Sequence, residues 1–269
     1  MNIWMEFLWF ILLQLSNRKH KERIMIYQKI VEAKHEGRRL LAVLIDPDKA
    51  QSKHLDKLCS HCNEVGVDFY FVGGSLITTG DLAHTIQSIK KRSDIPIVIF
   101  PGNHQQVDEY ADAILLLSLI SGRNPDLLIG QHVMAAQRLK AAEIEIIPTG
   151  YLLIDGGNMT AVQYVSGTAP IPVGKTDIAA YTALAGEQLG LKLIFAEAGS
   201  GAKNSVPVEM IKAIKREINI PLIVGGGVRT LENAEELYAA GVDVVVVGNS
   251  LEQNPELIFE IAASRNKLS

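Results

Sequence analysis

Cysteine is scarce in this chain. Two in 269 residues cannot build a disulfide framework, so a reducing compartment is the default expectation. Charge of one sign is lacking too: 30 acidic against 26 basic side chains give a formal net charge of −4. That argues against a broad nucleic-acid surface. Any anionic ligand must be held locally, by backbone amides, a metal or a few placed cations. No Pro/Gly/Ser-rich linker and no repeat marks a second domain. The apolar run Trp4–Leu15 is shorter than the ~20 residues of a membrane-spanning helix. Its charges, Arg18 to Lys21, follow the run instead of preceding it, and no small-residue cleavage site comes after, which excludes a secretory signal. An interfacial anchor, a misplaced start or an extra docked helix would each fit. We read residues 1–24 as a non-native or optional extension. Met25 opens an amphipathic helix, Ile26–Glu36, and begins the domain proper, 25–269.

What is present is ordinary globular material, 48% hydrophobic and 21% charged, which excludes collagenous and disordered readings. The length suits one large domain or two small ones; α/β barrels run to ~200–250 residues as one domain. From Leu40 on, eight apolar runs alternate with amphipathic stretches: Leu40–Asp46, Asp68–Gly74, Ile95–Gly102, Ala113–Ser121, Ile144–Ile154, Leu191–Gly199, Ile220–Gly227 and Val242–Ser250. Each is rich in Val, Ile and Leu without polar alternation, as parallel strands buried on both faces are. Helices are predicted at Ser52–Val65, Leu82–Lys91, Pro125–Ala141, Ile178–Leu189, Pro207–Ile218, Leu231–Ala240 and Pro255–Ser264. Between the third and fourth runs only His104–Asp112 is available, too little for a packed helix and two loops. The fold expected is α/β, a modified (β/α)8 TIM barrel lacking a full third helix, with an open doubly wound sheet as the alternative.

Barrel enzymes carry their chemistry at the C-terminal ends of the strands. Here the last two strands end in Gly225-Gly226-Gly227 and Gly248-Asn249-Ser250. Glycine lets a phosphate approach backbone N–H groups, and the following helix N-termini add favourable partial charge. Gly226, Gly227, Gly248 and Asn249 read as a phosphate cradle, with Ser200 adding a hydroxyl; tight strand-to-helix turns are the bland alternative. Asp46 and Ser75 end the first two strands. A carboxylate and a hydroxyl, completed by water and substrate phosphate, suit Mg²⁺; a turn cap before Pro47 and a helix cap would explain them equally well. Glu197 ends a buried strand beside the cradle and reads either as a general base or as a structural ion-pair partner. Cys59-Ser60-His61-Cys62, with His54 nearby, looks like half a metal site. It lies within a predicted amphipathic helix, and its cysteines read as core. Arg123, Lys175 and Arg229 are cations near strand-end loops, and the sequence does not choose among them.

Taken together, LIDPDK, FVGGS, FPG, LLLSLISGRNPDLLIGQHV, IPTGYLLIDGG, EAGSGA, GGGVRT and VVVGNS resemble the geranylgeranylglyceryl phosphate synthase family, which includes the bacterial heptaprenylglyceryl phosphate synthases. The resemblance runs from about Met25 to the C-terminus, and the long motif after strand four is similar to the branch shared by archaea and bacteria. It implies a barrel without the third helix. It implies transfer of a polyprenyl group, geranylgeranyl as the first expectation, from its diphosphate to the 3-hydroxyl of sn-glycerol 1-phosphate, in ether phospholipid biosynthesis. It also implies Mg²⁺, matched to Asp46 and Ser75. The family's glycerol phosphate segment matches Phe195, Ala196, Glu197, Ala198, Gly199, Ser200 and Gly201, with Glu197 as base, and its other phosphate elements match Gly226-Gly227 and Gly248-Asn249. The family's usual Tyr at the head of that segment is Phe195 here, so its hydroxyl contact is absent. A cytoplasmic enzyme with peripheral membrane contact and a homo-oligomer, hexamer before dimer, complete the expectation. The competing readings are another phosphate-handling barrel, an isomerase or aldolase, and a non-catalytic barrel that binds prenyl or glycerol phosphates. An aldolase would want a Schiff-base lysine inside a strand, and Lys192 lies at the wrong end of strand six.

Overall fold

The computed structural model describes residues 25–266, so the readings made for 1–24 lie outside the described residues. Eight parallel strands close into a barrel in sequence order: β1 Leu40–Ile45, β2 Phe69–Val72, β3 Ile97–Ile99, β4 Ala113–Ser118, β5 Glu145–Leu153, β6 Leu193–Glu197, β7 Leu222–Gly225 and β8 Val244–Val247. β1 pairs with β8 to complete the ring, which excludes the open sheet. The helices are α1 Ile26–His35, α2 Ser52–Val65, α3 Leu82–Lys90, α4 Gln131–Ala142, α5 Ala161–Ser166, α6 Thr176–Gln188, α7 Val208–Glu217, α8 Leu231–Ala239, α9 Asn249–Gln253 and α10 Leu257–Asn266. Residues 100–112 form turns and no helix, as the short gap predicts.

The strands are apolar throughout because both faces are covered. Alternate residues face two separate cores. Leu40, Ala42, Phe69, Phe71, Ile147, Phe195 and Val246 fill the barrel interior. Leu41, Val43, Tyr70, Val72 and Ala196 face the helix layer instead. Helix α1 buries Ile26, Ile30 and Ala33, spaced one helical turn apart, and plugs the bottom of the barrel. Its exposed N–H groups are met from β5: Glu145 accepts from Ile26 N at 2.5 Å and from Tyr27 N at 3.2 Å.

An acid stands immediately before three of the even-numbered strands and closes the seam to the strand before it. Asp68 accepts from Leu41 N at 3.0 Å, Asp112 from Ile97 N at 2.7 Å and Asp243 from Leu222 N at 2.8 Å. Barrel stagger leaves those first N–H groups without a strand carbonyl, and a carboxylate satisfies them. Each acid also has a cation: Arg265, Lys90 and Lys215 respectively. These three acid–cation pairs thus lie at the bottom of the barrel, away from the strand C-termini.

Two differences from the sequence reading concern boundaries. The apolar runs extend past the strands at one or both ends, because their flanking residues enter turns. The helix predicted at Pro125–Ala141 opens with a wide turn, Asp126–Gly130, in which Gln131 N bonds to Asp126 O, before α4 proper begins. The short α5 and α9 were not foreseen; neither has the length for a visible periodicity.

Candidate active site

The loops after β6, β7 and β8 meet in one cleft. Glu197, Gly199, Ser200, Gly201, Gly226, Gly227, Gly248 and Asn249 all line it, together with Leu44 and Arg229. Ser200 Oγ donates to Asn249 Oδ1 at 3.1 Å, tying the β6 loop to the β8 loop. Gly226 and Gly227 have φ of +80° and +72°, and a Cβ on Gly227 would come within 2.5 Å of the Asn204 backbone. Only glycine fits this turn without strain. Among the cations left open by the sequence, Arg229 lines the cleft, and its guanidinium donates to Ala202 O at 2.6 Å. Arg123 bonds the carbonyls of Ile120 and Gly122, and Lys175 lies exposed before α6.

Not every residue of the Phe195–Gly201 segment turns its side chain to this cleft. Ala196 and Ala198 are buried in the layer between sheet and helices. The Phe195 ring points into the barrel, with ring centroids 5.0 Å from Phe100 and 5.8 Å from Tyr151. Strand alternation dictates this: Phe195 and Glu197 share the inward face, Ala196 and Ala198 the outward one.

Glu197 is 5% exposed. Its Oε1 accepts the Gly199 N–H at 2.9 Å. Burial raises its pKa to about 7, and the Gly199 bond moderates the rise. No cation is within ion-pair distance of it among the described residues, so the structural ion-pair reading finds no partner there.

Tyr151 of β5 is a site residue that sequence reasoning did not single out. It pairs in register with Phe195. Burial, and then the charge of Glu197, hold its phenol well above the usual tyrosine range. Tyr151 also lines a second feature, an open groove that reaches from Ser75 past Phe100, Leu116, Leu119 and Leu127 to Ala135 and Leu139. The groove lies over β3 and β4 and against α4, where the third helix is missing. Its lining is overwhelmingly apolar. Only the IPTGY string hinted at Tyr151; the groove emerges from residues far apart in sequence.

Asp46 and Ser75 stand at adjacent strand ends. The Asp46 carboxylate lies against the residue before Ser75: a Cβ on Gly74 would sit 3.6 Å from Oδ1. Asp46 Oδ1 accepts from Asp48 N at 3.0 Å, so the turn-cap reading holds for that oxygen. Oδ2 faces Lys49 Nζ at 3.8 Å. Asp48 was overlooked. It accepts the N–H groups of Thr78, Thr79 and Gly80 and the Thr78 hydroxyl, which holds it well below the usual carboxylate range and pins the β2 loop to the β1 loop. The Cys59-to-Cys62 string belongs to the core: both thiols are buried and their pKa values pushed up, Cys62 to about 12, while His61 packs on Phe259.

A glycine-lined cleft, a buried carboxyl and a long apolar groove therefore lie at the same end of one barrel, and comparison with known proteins finds similar sequences and the same fold elsewhere. The profile of the PcrB family matches residues 30–265. The chain belongs to the PcrB family. Among curated members, the geranylgeranylglyceryl phosphate synthase of Spirosoma linguale is 51% identical over 228 residues, 84% of this chain and 91% of that protein. The Pyrococcus horikoshii synthase is 41% identical over 236 residues, 87% of this chain and 92% of that one. The crystal structure of (S)-3-O-geranylgeranylglyceryl phosphate synthase from Thermoplasma acidophilum, in complex with its substrate sn-glycerol-1-phosphate, superimposes with a TM-score of 0.85 at 32% identity, covering 91% of this chain and 99% of that one. PcrB family membership thus agrees with the barrel lacking its third helix, and the isomerase and aldolase readings lose their footing.

Proposed function

We propose that this chain is a prenyltransferase that joins the 3-hydroxyl of sn-glycerol 1-phosphate to a polyprenyl diphosphate, geranylgeranyl first among the donors, with release of diphosphate. One observation carries the reading: Glu197, with its raised pKa, lines the glycine-lined cleft, and its charge is felt by Tyr151, which lines the apolar groove. The glycerol phosphate anion lies on the backbone amides of Gly226, Gly227, Gly248 and Asn249, which fix the hydroxyl toward Glu197. The prenyl tail lies in the groove, away from water. Glu197 takes the hydroxyl proton as the oxygen attacks the allylic carbon; the C–O bond to diphosphate breaks with its electron pair leaving on the diphosphate.

The donor set at the first two strand ends fits a small divalent cation. Asp46 and Ser75 offer hard oxygen ligands, few in number, at adjacent strand ends; Ser75 lines the groove and Asp46 is partly exposed, so water and diphosphate oxygens can complete the shell. Asp46 and Ser75 would hold Mg²⁺, which supplies neutralisation of the leaving diphosphate's charge. Lys49 reaches the same carboxylate and links it to Glu252.

The same reading extends to the surface. Ile129 before α4, Val133 and Met134 on α4, and Ile178 and Tyr181 on α6 are exposed apolar side chains, which suits a homo-oligomer; our expectation is a hexamer before a dimer. No helix among the described residues is long and apolar enough to cross a membrane. A cytoplasmic enzyme in peripheral contact with membrane lipid suits the substrates. The deciding experiment incubates radiolabelled glycerol 1-phosphate with Mg²⁺ and a panel of prenyl diphosphates, beside Glu197→Ala and Asp46→Ala. Label entering the organic phase only with the unsubstituted protein supports the assignment. Folded protein that binds glycerol phosphate but transfers nothing from any donor would leave a non-catalytic binding barrel.

A further inference from the structure

The segment that replaces the third helix does more than bridge a gap. Gln106, on that segment, is 6% exposed, although its neighbours Val107 and Ala111 pack into the apolar core. A buried amide is costly unless both ends are bonded. Both ends are: Oε1 accepts from Gly102 N at 2.9 Å, and Nε2 donates to Gly74 O at 3.3 Å. The amide thus fastens the β3 loop to the β2 loop one residue before Ser75. The two loops touch there through bare backbone. A Cβ on Gly102 would fall 2.2 Å from Gly74 O and 2.7 Å from Ser75 O. The segment itself is anchored to α4, where Gln131 Oε1 accepts from His104 N and Arg138 donates to Gln105 O. On its other side the β2 loop is held by Asp48 through Thr78, Thr79 and Gly80.

We propose that Gln106 is a positioning residue for the divalent-cation site: by clamping the β3 loop onto Gly74 it sets where Ser75 stands relative to Asp46. The inference rests on the cation reading of Asp46 and Ser75 given above. It explains why a polar residue is buried in the helix-less segment, and it assigns that segment a task in the reaction.

The test reads metal uptake directly. Mn²⁺ binding in the presence of inorganic diphosphate is followed by electron paramagnetic resonance for the unsubstituted protein, Gln106→Leu and Gly102→Ala. Gly102→Ala pushes the same two loops apart while leaving the glutamine itself unsubstituted, so it carries the test if Gln106→Leu does not fold. Binding of sn-glycerol 1-phosphate, held by loops on the opposite side of the barrel, is measured by calorimetry on the same samples. Mn²⁺ affinity should fall about five- to tenfold in both variants, the scale of one lost hydrogen bond, while glycerol phosphate affinity holds. Undiminished Mn²⁺ affinity in folded variants overturns the proposal, and so does an equal loss of both ligands, which would mean general loosening. If the unsubstituted protein takes up no Mn²⁺ with diphosphate, the cation site itself falls and this inference with it, whatever the transfer assay shows.

Discussion

The carboxylate of Glu197 fills the space that a side chain at Gly226 would need: a Cβ built on Gly226 comes to 2.6 Å from Oε1. Cradle and base are therefore one packed unit. Gly226→Ala should cost more than a turn glycine ordinarily does. It adds strain at φ +80°, worth about 1 kcal/mol, and it also displaces the base. We expect turnover to drop on the order of a hundredfold, with weaker glycerol phosphate binding. Steady-state kinetics with both substrates varied checks this; near-normal kcat would separate the two features again.

Glu197 also makes the enzyme's pH behaviour predictable. A general base must be ionised, so kcat/KM should rise with pH through about 7. Glu197→Gln should lower kcat by roughly 10² to 10⁴ and flatten that limb. A rise centred near 4.5, where an ordinary carboxyl titrates, would contradict the buried-base reading.

Stability follows with the opposite sign. The folded pKa is raised, so the folded state holds the Glu197 proton more tightly than the unfolded chain. Stability is undiminished below the unfolded value, falls as pH rises from about 4.5 to about 7, and stays reduced above. Glu197→Gln keeps the acceptor for Gly199 N without the charge. At pH 8 it should be more stable than the parent by roughly 3 kcal/mol, and near equal at pH 4. Urea unfolding at the two pH values reads this directly.

At the other end of the barrel, Asp243 is 2% exposed and holds both Lys215 Nζ and Leu222 N at 2.8 Å. Burial lowers the Lys215 pKa, and Asp243 counteracts it. Asp243→Ala leaves two partly buried cations, Lys215 and Arg39 at 3.8 Å, without that partner and strands a strand N–H, and should cost about 3–5 kcal/mol. Replacing Asp243 and Lys215 together with apolar residues should recover part of that loss, since one unpaired charge is removed. Chemical denaturation of the single and double variants tests the pair, and equal losses would refute it.

On the proposed reading, the groove sets which donors fit. Ala135 is a small side chain in its lining, at α4. Ala135→Phe should raise KM for long prenyl diphosphates while leaving short ones and glycerol phosphate unaffected. A uniform effect on all donors would place the tail elsewhere.

The barrel was legible in the sequence because burial on both faces leaves a simple trace: eight runs of Val, Ile and Leu with turn residues between them. The short interval His104–Asp112 announced the missing helix by length alone. Gly226, Gly227, Gly248, Asn249, Glu197, Asp46 and Ser75 could be singled out since glycines, a hydroxyl and carboxylates at strand ends are rare enough to stand out. Their identity alone did not distinguish a base from an ion-pair partner, or show which of Arg123, Lys175 and Arg229 faces phosphate. Those choices depend on what surrounds each group, and desolvation is a property of the packed barrel. Tyr151 reaches Glu197 only because β5 and β6 pair in register. Gln106 meets Gly74 only because two loops, thirty-odd residues apart, close on each other without a Cβ between them. Local pattern determined the elements and their order; the closing of the ring decided which side chains share a space.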